Sequence, residues 1–427
     1  MGRYLIITNP SCGHVIPIIP IARELVKSGH TVKWINGRAF KEKVENTGAE
    51  FILMHQKYDR GKTELYDFFP ELKKLKGVLM LLFYFKHWVF APVPFYVKQI
   101  EDVLKKFKAD AIIGDSFRNW ALFVTERGGP PFVMVNVFPL LYPSSYLPPQ
   151  GLGFLPGKSI FSKLKESLLR FIVYKIGSWP LKKYCNQIRN QFRLPPYKGF
   201  FQKEGWDRSA MVMQPTVPQF EYTLPDLPKH VHFIGHIPLS VDSNFMPPEW
   251  WPKITSNEKK VILINQGTIA RNIDNLIKPA IEALQNEDVY MIAVPVSDGQ
   301  LNNIPANTFT SDFIPFANLL PYVDLMITNG GYGGVQNALS YGIPLIVAGA
   351  TEDKMEVSAR VEFSKVGINL RKNNPTPKQI KSAVNKVFSI NTYRKNAKRM
   401  QNEMAKFDAP QKAVQLLESI IQDSNKG

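Results

Sequence analysis

Two groups of residues in this chain could do chemistry. His14 closes the loop Pro10-Ser11-Cys12-Gly13, just after the apolar run Tyr4–Asn9. Asp115 follows a second such run, Ala111–Gly114. A histidine titrates near neutral pH, and a carboxylate that orients its ring leaves the other ring nitrogen to take a proton from a hydroxyl. The two are far apart in sequence, so the partnership depends on the fold. Each also has a plainer use, His14 as a loop cap and Asp115 as a helix N-cap. The second group is the turn Asn329-Gly330-Gly331-Tyr332-Gly333-Gly334, set between the apolar run Asp324–Thr328 and the helical pattern Val335–Ser340. A glycine-rich turn that opens a helix lets backbone N–H groups approach an anion, and the helix dipole favours negative charge there. The spacing predicts a phosphate or diphosphate at that helix start, although a turn made only for packing has the same pattern.

Parallel sheets must position both groups. Strands are predicted at Tyr4–Asn9, Thr31–Ile35 and Phe51–Met54, with helices at Val15–Lys27 and Phe40–Asn46 between them. The alternation continues with a helix over Phe95–Lys106, the strand at 111–114, a helix over Trp120–Arg127 and a strand over Phe132–Val137. Such an order specifies a doubly wound α/β sheet. Pro238, Pro247, Pro248 and Pro252 mark a linker. After it the pattern restarts with strands at Val261–Asn265, Val289–Val294, Phe309, Asp324–Thr328 and Leu345–Val347, and Gln266-Gly267-Thr268 as the first loop. Helices are expected at Met355–Lys365, Pro377–Phe388 and Thr392–Phe407, then a last one capped by Asp408. The expected organisation is an N-terminal domain at 1–237, a linker at 238–259, a C-terminal domain at 260–407 and a terminal helix within 408–427. In such sheets ligands bind beyond the carboxyl ends of the strands, in the cleft between domains. His14 and Asp115 both lie at that edge.

Composition narrows the classes. The chain has 427 residues and two cysteines, which argues against a disulfide scaffold or a cysteine-rich metal site. Cys12 reads as pocket lining, and His30 as a charge complement at a helix end. His230, His232 and His236 leave a lone metal site open as an alternative to a strand, and no Asp-x-Asp occurs. The pair Trp250-Trp251 reads as linker packing. The run Gly77–Phe85, followed by Lys86 and His87, reads as too short and interrupted to span a bilayer. With no cleavable signal pattern at the start, a cytoplasmic location is expected. The net charge of +17 raises nucleic acid or an anionic membrane as partners, yet no nucleic-acid-binding module is recognisable. Residues 158–198 carry ten Lys or Arg and one acid, Glu166, with Leu164, Leu168, Leu169, Ile172 and Ile176 among them. The segment is either a solvated helix face or a basic amphipathic helix lying on an anionic membrane.

Together, CGHVIPIIPIARELVKSGHTV around His14, IIGDSF around Asp115 and TNGGYGGVQNALSYGIPLIVAGATEDK resemble the family 1 glycosyltransferases. These are inverting, nucleotide-sugar-dependent enzymes of the GT-B fold, with two Rossmann-like domains facing across a cleft; they include plant and macrolide-modifying members. The resemblance implies His14 as general base for the acceptor hydroxyl and Asp115 as its partner. It implies that Thr268 contacts the donor diphosphate and that Asn329, Gly330, Gly331, Gly333, Gly334 and Val335 cradle it. Phe313 would stack on the base and Ile314 offer backbone contacts to it. Asn337 would face the ribose, and Asp353 and Lys354 the donor sugar. The last helix would cross back onto the N-terminal domain. No metal or cofactor is implied; the co-substrate is a UDP-sugar or a dTDP-sugar.

The chain departs from the family pattern at three positions: Asn329 replaces the common His, Asn337 the common Glu and Lys354 the common Gln. The expected function is transfer of a hexose, glucose from UDP-glucose first, to a small lipophilic acceptor, with the aromatic stretches 77–97 and 138–156 as core or acceptor-pocket lining. A glycolipid-forming transferase at a membrane surface and a catalytically silent nucleotide-sugar-binding partner protein are the alternatives.

Overall fold

The computed structural model describes the chain apart from residues 62, 64, 118, 257, 268–271, 297–300, 302, 352 and 425–427. Near-continuous apolar runs make strands that are buried on both faces, as a parallel sheet covered by helices requires. The first sheet contains β1 (Arg3–Ile7), β2 (Thr31–Asn36), β3 (Glu50–Leu53), β4 (Ala111–Asp115), β5 (Phe132–Val135), β6 (Met211–Gln214) and β7 (Val231–Phe233). Its order is β3-β2-β1-β4-β5-β6-β7. The second contains β8 (Lys260–Asn265), β9 (Val289–Val294), β10 (Thr308–Thr310), β11 (Leu325–Thr328), β12 (Leu345–Val347) and β13 (Gly367–Asn369). Its order is β10-β9-β8-β11-β12-β13. All pairings within both sheets are parallel. The expected pair of doubly wound α/β sheets is therefore present.

Strand alternation divides each core in two. Leu5 and Ile7 of β1 enter one apolar cluster with Ile112 and Met134, while Tyr4 and Ile6 enter another with Ile113 and Val135. The helix Ala409–Ser424 completes the second cluster through Ala413 and Leu417. The carboxylate of Glu418 on that helix lies 3.1 Å from His30 Nε2, and His30 Nδ1 accepts the Gly2 N–H at 2.9 Å. His30 thus ties β1 to the last helix and does more than complement a helix end.

Two expectations need correction. The single helix over Val15–Lys27 is three segments, Cys12–Val15, a 3-10 turn Ile16–Ile18 and Ile19–Lys27. Pro17 and Pro20 each sit in the first turn of a new segment, since a proline lacks the N–H that a continuing helix needs. The run at Gly77–Phe85 is not short: it continues through a π-helical stretch into one helix, Gly77–Lys106, of 30 residues, long and apolar enough by length and composition to cross a membrane. Lys86 and His87 do not interrupt it. Its later part is a core helix, with Val89, Phe90, Val93, Val97 and Ile100 inside the first domain's apolar cluster.

Candidate active site

In the first sheet the strand order reverses between β1 and β4, and a reversal opens a crevice at the carboxyl ends of the two strands. Ile7 pairs with Gly114 there, so the loop after β1 and the end of β4 must meet. That register brings His14 and Asp115 together. Nδ1 of His14 lies 3.0 Å from Oδ1 of Asp115, with the ring nearly buried and the carboxylate fully so. The contact is close but off the ideal N–H direction. Asp115 is itself fixed by two backbone amides: Phe117 N–H donates to Oδ1 at 2.7 Å and Asn9 N–H to Oδ2. Such charge-assisted bonds hold the carboxylate in place. Phe117 stacks on the His14 ring at 5.0 Å and Phe138 meets it edge-on at 5.5 Å, so the imidazole is held by packing as well as by charge.

The second sheet repeats the arrangement. Its order reverses between β8 and β11, where Asn265 pairs with Thr328. The loop after β11 is the glycine turn, and the helix it opens runs Tyr332–Ser340 with Gly331 as N-cap. Gly330 has φ +81, the left-handed region, and a Cβ on it would stand 3.0 Å from Ser358 Oγ. A Cβ on Gly349, in the loop after β12, would stand 2.1 Å from the Asn329 carbonyl, so only glycine permits that approach. The Val335 N–H donates to Gly331 O at 3.0 Å and closes the first helical turn. The N–H groups of Tyr332, Gly333 and Gly334 precede that bond and are the first-turn donors a helix leaves without internal partners. Ser358 Oγ, buried beneath the turn, has no hydrogen-bond partner among the described residues.

Asn329 is buried, and its Nδ2 donates to the Gln266 carbonyl. It struts the β8 and β11 loops together, a task that no local pattern marks. Phe313 is 75 % exposed at the edge of the same sheet, with the neighbouring Ile314 in the core. Asp353 is the N-cap of the helix Lys354–Phe363, and Lys354 opens it beside Gly330 and Gly349. Asn337 is half-buried on the helix Tyr332–Ser340. Thr268 lies outside the described residues.

Sequence reasoning missed the residues that join the two halves. Ser116, next to Asp115, donates to Asn136 Oδ1 at 2.5 Å. Asn136 Nδ2 donates to Gln214 Oε1 at 2.6 Å, and Gln214 Nε2 to Phe138 O at 3.0 Å and Tyr332 Oη at 3.1 Å. Thr216 Oγ1 donates to Gln336 Oε1 at 2.8 Å. The end of β6 thus binds the first helical turn beyond the glycines to the edge that carries His14 and Asp115. Ser116 lies just past a predicted strand, but no local pattern in the sequence marks Gln214, Thr216, Tyr332 or Gln336. A second junction is ionic. Arg360 Nη1 donates to Glu356 Oε2 at 3.0 Å, Nη2 to Leu140 O at 2.9 Å and Nε to Glu221. Glu356 Oε1 accepts from Gly151 and Gly153 at 2.8 and 3.1 Å. The helix that begins at Lys354 thereby clamps the loop 139–156 of the first domain.

Comparisons with known proteins identify the family and the fold. Residues 280–420 match the family model described as Erythromycin biosynthesis protein CIII-like, C-terminal domain. The 4'-demethylrebeccamycin synthase of Lentzea aerocolonigenes is 36% identical over 422 residues, covering 98% of this chain and 100% of the relative. UDP-glucosyltransferase A1 of Starmerella bombicola is 27% identical, over 97% of this chain and 90% of the relative. Among solved structures, the glycosyltransferase of kitacinnamycin superposes with a TM-score of 0.74 at 16% identity, covering 98% of each chain. The full-length likeness to the synthase, joined to the GT-B architecture of the two sheets, establishes that this chain belongs to the family 1 glycosyltransferases of the macrolide and natural-product type.

Proposed function

We propose that the protein transfers a hexose, glucose from UDP-glucose first, to a hydroxyl of a small lipophilic acceptor, with inversion at the anomeric carbon. The observation that carries this reading is the His14–Asp115 contact of 3.0 Å at the first switch point, joined through Gln214 to the glycine turn at the second. Asp115 faces Nδ1 and so favours the tautomer with its proton there, leaving the Nε2 lone pair as the base. The acceptor O–H proton passes to Nε2 as its oxygen forms a bond to the anomeric carbon. The bond from that carbon to the diphosphate oxygen breaks, and the nucleoside diphosphate leaves with the electron pair. First-turn amides of the helix Tyr332–Ser340 stabilise the charge that develops on it. Asp115 then balances the imidazolium.

UDP as the nucleotide is supported by relatives named UDP-glucosyltransferases. A dTDP-sugar is the second candidate, since a solved neighbour is titled as a rhamnosyltransferase complexed with thymidine diphosphate. A screen of UDP- and dTDP-sugars against phenolic and polyketide acceptors, read by mass spectrometry, tests the reading. The coupling constant of the anomeric proton in the product reports its configuration. A β-glycoside from an α-linked UDP-sugar is the expected product. A retained α-linkage refutes inversion, and donor binding with no product from any acceptor favours the silent partner-protein reading. Transfer to a lipid acceptor is a second reading, favoured by the outward-facing apolar helix described next.

A further inference from the structure

A surface helix of a globular protein ordinarily turns its apolar stripe inward and its charges outward. The helix Ile160–Phe171 does the reverse. Ile160, Phe161, Leu164, Leu168, Phe171 and Ile172 are exposed by 77%, 83%, 64%, 60%, 57% and 43%. They recur at intervals of three and four, so they share one face. The opposite face holds the polar attachment. Glu166 is buried there and accepts the Gly157 N–H at 2.6 Å, and Arg170 Nη1 donates to Leu147 O at 2.8 Å. The helix is thus anchored to the loop 139–156 by its polar side, and a continuous apolar ridge is left in solvent. Contiguous exposed apolar patches of this kind mark interaction sites.

The charge around the ridge selects the partner. At about 100° per residue, Lys163 and Lys165 stand on its two margins. Lys158, Lys175 and Lys183, also exposed, continue the basic border. A second exposed apolar group, Val78, Leu79 and Leu81, follows exposed Lys74 and Lys76 at the start of the helix Gly77–Lys106. That helix and the stretch that follows the ridge meet on adjacent residues, since Phe85 packs on Phe201 at 5.8 Å and Tyr174 on Phe200 at 4.5 Å. An apolar ridge rimmed by lysines is complementary to a bilayer interface, whose acyl boundary takes the apolar side chains while anionic headgroups meet the ammonium groups.

We infer that the helix Ile160–Phe171 is a membrane-docking surface that lays this domain on an anionic bilayer, with the loop 139–156 directly behind it. The docking does not rest on the glycosyltransferase mechanism, and it can be tested without any acceptor.

The test is sedimentation of the full chain with vesicles of phosphatidylcholine alone or mixed with phosphatidylserine. Two surface variants are compared, Phe161→Ser/Leu168→Ser and Lys163→Glu/Lys165→Glu. UDP binding by each variant, unchanged from the parent, confirms that folding is intact. The expected result is binding to the anionic vesicles and about tenfold or more weaker binding for each variant. Absence of binding to the anionic vesicles overturns the proposal. So does binding that the Phe161→Ser/Leu168→Ser variant retains in full, since attraction of a +17 chain to any anionic surface would then suffice. A parent that sediments as a dimer, and becomes a monomer in that variant, also overturns it, because the ridge would then be covered by a second copy.

Discussion

Arg360 offers the sharpest test of how the two domains are held. The residue is 1% exposed, yet its guanidinium engages two carboxylates and two backbone carbonyls. The Tyr222 ring lies 4.6 Å away. Burial acts to discharge the group; Glu221, Tyr222 and Glu356 outweigh it and hold the guanidinium firmly charged. Replacement by methionine keeps much of the volume but strands Glu221 and Glu356 with no cation and takes the donor from Leu140 O. Removing one partner of a buried ion pair costs about 3–5 kcal/mol, a large share of the roughly 5–15 kcal/mol that stabilises a domain. Arg360→Met should lower the unfolding free energy by that amount in urea, followed by tryptophan fluorescence and circular dichroism together, because two domains need not unfold as one. Adding Glu221→Gln should recover part of the loss by removing one stranded charge. The kinetic consequence should be selective: the acceptor KM rises about tenfold as the loop 139–156 loosens, while donor affinity holds. A loss below about 1 kcal/mol, the scale of a surface pair, or an equal rise in donor and acceptor KM, would refute the clamp.

Other consequences follow from single positions. Gly349→Ala should weaken UDP binding by about tenfold or more in calorimetry, since its methyl group would overlap the Asn329 carbonyl at 2.1 Å and displace the glycine turn. Phe313→Ala should raise the donor KM by about tenfold and leave kcat nearly unchanged, as loss of one stacking surface worth about 1–3 kcal/mol implies; an unchanged donor KM removes Phe313 from the site. His236 is held near a pKa of about 4 by burial. The unfolded chain gains its proton below the ordinary value of about 6.5 while the folded chain resists until near 4, so stability falls as pH drops through that window, by up to about 3 kcal/mol. His236→Gln should flatten the slope between those limits in denaturant titrations, and an unaltered slope would contradict the assignment.

Most strands were legible because fully buried parallel strands are uninterrupted apolar runs, as at Tyr4–Ile7 and Leu345–Val347, whereas β6 and β13 were not anticipated. The glycine turn was legible because its conformations exclude side chains. Pairing of His14 with Asp115 was legible only as a conditional, resolved by the β1–β4 register. What stayed hidden depends on contacts between distant elements. Asn329 was read only as a donor-site residue, and its bond to the Gln266 carbonyl was not foreseen. Gln214, Tyr332, Glu221 and Arg360 carry no local pattern that marks an interdomain bond. Local charge counts also concealed the direction of the helix at 160–171, because amphipathicity gives two faces and only packing decides which one is turned outward.

The central claim is that His14, set by Asp115, is the base that works on a donor held by the glycine turn. The most direct measurement is turnover and UDP-glucose affinity of His14→Ala beside the parent enzyme, with the acceptor found in the donor screen. The account predicts that turnover falls by about 10²–10⁴ while donor affinity stays within about twofold, because His14 lies at the first switch point and the cradle at the second. Turnover close to that of the parent would contradict it.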